Sequence, residues 1–90
     1  MSNVINTGGY KNITATGNVS PVSTDMLGIF VSTSTAGTFA VYDSATTTTT
    51  TPITGTVTAV GGTFYQIPAS ASNGLYVVVG GTLNATVIFG

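Results

Sequence analysis

The sequence predicts an all-β protein: a small antiparallel β-sandwich or jelly-roll-like domain of about seven strands. Three observations carry this. Apolar residues alternate with hydroxylated ones at period two. Glycine, proline and Ser/Thr clusters recur between those stretches. No stretch shows the 3.6-residue period of a helix. Strands spaced 8–14 residues apart with turn residues between them suit a sandwich, jelly roll or small barrel.

Residues 1–9 are polar, lack a sustained period and end in Gly8-Gly9, so they are expected to form an extended N-terminal arm. Met1, Val4 and Ile5 are its candidate contacts with a neighbouring subunit. Residues 10–90 form the β domain. Its first strand, Tyr10–Thr16, places Lys11, Ile13 and Ala15 on one face, with Lys11 guarding a sheet edge. Gly17–Thr24 holds Gly17, Asn18, Ser20 and Pro21 and is expected to loop. Met26–Val31 is a second strand, with Leu27, Ile29 and Val31 on one side and Met26, Gly28 and Phe30 on the other. Gly28 within it marks a bulge or the close approach of a neighbouring backbone. Ser32–Gly37 is expected to turn.

Thr38–Tyr42 is the third strand, ended by Asp43 and Ser44 through side-chain bonds to the backbone. Thr46–Thr51, six threonines in a row, has no apolar face and is expected to be an exposed loop. Ile53–Val60 alternates cleanly, with Pro52 at its start. Gly61-Gly62 turns into Thr63–Ile67, where the adjacent Phe64 and Tyr65 give each face an aromatic. Pro68 ends that strand. The closing stretch Gly74–Gly90 is read as a hairpin, Leu75–Val79 and Leu83–Phe89, turning at Gly80-Gly81. Leu75–Val79 is apolar on both faces, as in a strand covered on both sides.

Composition narrows the function. The 90 residues include one cation, Lys11, and two anions, Asp25 and Asp43, for a net charge of −1. One lysine cannot neutralise a phosphate track, which argues against nucleic acid. No apolar run approaches the ~20 residues of a membrane-spanning helix, and the start lacks the basic-then-apolar pattern of a secretory signal. The chain has no His and no Cys. It therefore lacks the usual base for a Ser-based triad, and no disulfide, zinc or redox site is expected. Asp25 and Asp43 are the only pair for carboxylate catalysis, and both sit where aspartate forms turns. Neither lies in a dense Asp/Asn loop of the calcium-binding kind. The glycine pairs have no phosphate-cradle spacing. No enzyme, metal or cofactor is expected.

A chain of this size buries roughly 60–65% of its unfolded surface, a modest core. So few charges also leave little repulsion between copies. Oligomerisation is therefore expected to supplement stability. Tyr42, Tyr65 and Tyr76 are the candidate interface residues, because tyrosine pairs apolar area with a polar tip.

Three segments carry a family likeness: Gly37–Ser44 (GTFAVYDS) with the Thr-rich loop after it, Gly62–Pro68 (GTFYQIP), and Gly74–Phe89 (GLYVVVGGTLNATVIF). Together they resemble small virion structural proteins of tailed bacteriophages, most of all capsid decoration (cement) proteins. The likeness spans Met26 to Gly90 and leaves Met1–Tyr10 outside it. It implies a non-enzymatic protein, made in the host cytoplasm, that sits outside the capsid as a homotrimer and binds the major capsid protein. Two other readings stay open: a tail or head-fibre component, and a small carbohydrate-binding sandwich using Tyr42 and Asp43.

Overall fold

A computed structural model describes residues 9–90. It is all-β and antiparallel, with no helix among the described residues. Six strands form one sheet: β1 (Gly9–Ile13), β2 (Gly17–Ser20), β3 (Thr24–Asp43), β4 (Val57–Thr58), β5 (Thr63–Ala71) and β6 (Leu75–Phe89). The expected arm lies outside the described residues except for Gly9, which opens β1; so do the candidate contacts Met1, Val4 and Ile5.

The spine is the long pair β3–β6, whose register runs from Met26↔Phe89 to Asp43↔Leu75. β1 and β2 line the outer side of β6; β5 and β4 line the outer side of β3. At ~3.3 Å per residue a straight strand of twenty residues would reach ~66 Å. The whole molecule is only 41 Å in its longest dimension. β3 must therefore double back. Its two ends confirm this: Ala71 pairs with Thr24 and Leu75 with Asp43. The four residue steps between Ala71 and Leu75 span at most ~14 Å.

The bend lies where the sequence predicted turns. Ser32–Gly37 was expected to turn but remains in β3, with register shifts at Val31/Thr33 and Thr35/Thr38. Gly80-Gly81 was expected to close a hairpin but lies inside β6. Ala36 and Gly81 take positive φ, 53° and 67°, and bend the two strands together. A side chain on Gly81 would strike the Ala36 carbonyl. Both flanks are pinned at the bend. Ser34 Oγ donates to Ala59 O, and Thr16 Oγ1 accepts from Val79 N and donates to Val79 O.

These mergers explain the strand count. Two predicted pairs of strands are single bent strands. Gly17–Ser20, expected in a loop, forms β2 on β6. Of Ile53–Val60 only Val57–Thr58 is strand, although Ile53 N and Thr54 N still donate to Val41 O. The Thr46–Thr51 loop is exposed, as its composition predicts.

Doubling back encloses one core. Met26, Ile29, Val31, Ala85 and Val87 come from one half of the spine; Phe39, Val41, Leu75 and Val77 come from the other. The rings of Phe39 and Tyr65 meet across the fold, edge to face, with centroids 5.4 Å apart. A bulge between Met26 and Gly28 absorbs Leu27. Met26 therefore joins Ile29 and Val31 in the core instead of the opposite face.

Candidate interaction face

The bend divides the sheet into two halves. The first holds β1, β5 and the stretches of β3 and β6 between them. Its outward face is built from two cross-strand rows. One runs Tyr10, Ile88, Gly28, Gln66; the next runs Asn12, Thr86, Phe30, Phe64. Strand alternation puts these residues opposite the core residues Ile29, Val31, Ala85 and Val87. Gly28 leaves a gap in the first row that the Phe64 ring covers: a Cβ there would lie 2.5 Å from Phe64 Cζ. Neither row contains a charged residue. Three of its aromatics remain open to solvent, Tyr10 at 76%, Phe64 at 47% and Phe30 at 40%. Asn12 is fixed among them by Nδ2, which donates to Asn84 Oδ1 (2.9 Å) and Ala85 O (3.1 Å).

The tyrosines that sequence singled out occupy other places. Tyr65 is half-buried in the fold; its hydroxyl accepts from Val60 N (3.0 Å) and donates to Thr58 O (3.4 Å). Tyr76 is 9% exposed and its ring lies 6.3 Å from that of Tyr42, itself half-buried, in the second half. All three have partners within the chain. Tyr10, Phe30 and Phe64 form the open surface instead. The sequence carried a partial signal for this: in Phe64-Tyr65 one ring must face outward, and Gly28 and Phe30 share a face.

The two carboxylates act locally. Asp25 accepts from Ser70 Oγ (2.9 Å). Asp43 accepts from the backbone N–H groups of Asn73 (2.8 Å), Ser72 (3.1 Å) and Gly74 (3.3 Å), clasping the short connection from β5 to β6. The Asn73 N–H, helped by those of Ser72 and Gly74, holds the Asp43 carboxyl below the usual aspartate range, against the opposing effect of desolvation. No group of three or more His, Cys, Asp or Glu gathers among the described residues. The groove beside Asp25, about 350 Å³, is lined by hydroxyls from Ser23, Thr24, Ser70 and Ser72 and has no aromatic wall on which a sugar could stack.

Comparison with models of protein families, with curated proteins and with solved structures gives no match.

Proposed function

We propose that this protein is a non-enzymatic bacteriophage head decoration protein that binds the outer surface of the major capsid protein shell as a homotrimer and stabilises it. In this reading the doubled-back sheet is a two-layer sandwich, and the protein is made in the host cytoplasm before joining the virion. The observation that carries it is the uncharged face bearing Tyr10, Phe30 and Phe64. Contiguous exposed apolar surface marks a protein contact site, and aromatic rings supply much of the energy at such sites. The likeness of Gly37–Ser44, Gly62–Pro68 and Gly74–Phe89 to cement proteins supplies the partner. Stabilisation follows from mass action, because a ligand that binds only the intact shell shifts the equilibrium towards that shell.

The test is sedimentation of the recombinant protein with capsids stripped of it. The wild type is expected to pellet with the heads and raise their resistance to heat. The double variant Phe30→Ser/Phe64→Ser is expected to stay in the supernatant while keeping its far-UV circular dichroism. Equal binding by the variant, or none by the wild type, overturns the reading. Copy number per virion separates this role from a fibre, which needs far fewer chains.

A further inference from the structure

The first half of the sheet has two unpartnered edges as well as its open face. Among the described residues β1 pairs only with β6, and β5 only with β3. A bare strand edge is a row of backbone donors and acceptors ready to pair with another chain. Folded proteins guard such edges with charge or proline. Here the β5 edge carries no charged residue, and Pro68, expected to end the strand, lies within β5, which runs on to Ala71. The β1 edge carries the one lysine, Lys11, at its centre.

We infer that the β5 edge of one copy pairs with the β1 edge of the next, head to tail, so that the sheet continues from copy to copy. Three arguments select this occupant. First, charge: β1 paired with itself antiparallel about its centre would set Lys11 against Lys11, a repulsive cross-strand pair. Against β5 the lysine meets only uncharged residues. Second, direction: strand order β1-β6-β3-β5 alternates throughout, so rotation about an axis along the strands keeps β5 antiparallel to the next β1. Third, closure: head-to-tail contacts that close leave no bare edge in the ring. Two different symmetric contacts, β5 with β5 and β1 with β1, close only if their two-fold axes meet, and otherwise extend as an open array. That the ring has three members rests on the decoration reading above; the edge pairing does not.

With Lys11 opposite Tyr65, Tyr10 of one copy faces Gln66 of the next. Both are exposed, and the chain has no native cysteine to interfere. The experiment oxidises Tyr10→Cys and Gln66→Cys, singly and mixed, after light scattering has measured their mass. The expected result is a covalent pair in the mixture and none from either variant alone. Gln66→Lys, which charges the edge, is expected to reduce the mass to one chain with unchanged circular dichroism. Self-linking by Gln66→Cys alone would overturn the inference in favour of a two-fold contact. A monomeric wild type, or an assembly untouched by Gln66→Lys, would overturn it as well. Shell binding is read separately by sedimentation: linked copies that ignore capsids defeat the decoration reading alone, and bound copies that never link defeat the edge pairing alone.

Discussion

The two halves of this sheet share the same pair of long strands and differ in what covers them. In the second half the outer tyrosines, Tyr42 and Tyr76, pair in one row and pack against each other, and Ala40 in the neighbouring row is buried. The Asn18 side chain of β2 donates to Ser44 O and Thr46 O, which ties the start of the threonine loop to that flank. The first half has no such cover among the described residues: Tyr10, Phe30 and Phe64 face solvent and both flanking strands keep an unpaired edge. One ribbon thus supplies a half whose outer tyrosines pack together and a half whose outer aromatics are open, while Val22 beside β2 and Val60 beside β4 are exposed as well. The difference teaches that exposed aromatic surface here is set by which stretches the connecting loops cover, more than by which residues are aromatic.

The largest expected effect tests whether the halves depend on each other. Phe39 is buried in the second half and meets Tyr65 of the first. Phe39→Ala is expected to cost ~3–5 kcal/mol, the range for removing a buried aromatic. That is much of the ~5–15 kcal/mol total of an ordinary domain. Chemical denaturation checks it; a loss below ~1 kcal/mol would mean that the halves stand independently.

Tyr65→Phe sharpens the distinction between inner and outer aromatics. It removes the bonds to Val60 N and Thr58 O and is expected to cost about 1 kcal/mol. Because the ring faces inward, the mass in solution should not change. A change in mass would place Tyr65 at an interface, as the sequence expects.

The smallest effect concerns the Asp43 clasp, which holds the β5–β6 connection at the closed end of the fold. Its carboxyl titrates lower in the folded chain than in the unfolded one. Its contribution is therefore complete above the unfolded aspartate value, ~3.9, and is lost as pH falls through the lower folded value. Asp43→Asn is expected to lower the melting temperature slightly at pH 7 and to flatten the decline below pH ~4. Melting curves from pH 7 to 2 check this. An acid decline identical to that of the wild type would show that the clasp contributes nothing.

Much of this was legible in the sequence. Period-two alternation marked nearly every strand segment of the spine. Asp43 and Ser44 announced the end of β3, and the polar threonine run announced an exposed loop. Gly28 announced both a bulge and a close approach. The errors at the bend have one cause. Ser32–Gly37 and Gly80-Gly81 have turn chemistry, yet each lies opposite the other, and paired backbones keep their ladder through a shared bend. Local residues cannot distinguish a turn that ends two strands from a bend that joins them, because the deciding hydrogen bonds come from a partner some fifty residues away. The same holds for β2, whose Gly17-Asn18 reads as a turn until β6 lies beside it.

The sequence by itself determined that this chain is all-β, nearly uncharged, and without His or Cys, because composition and alternation are local properties. Only the tertiary structure decided that Leu27 bulges out so that Met26 turns inward. It likewise decided that Tyr42, Tyr65 and Tyr76 are half-buried or buried while Tyr10, Phe30 and Phe64 stay exposed. Whether an aromatic ring is core or surface depends on register and on what lies across from it, and both are fixed by contacts between residues far apart in the chain.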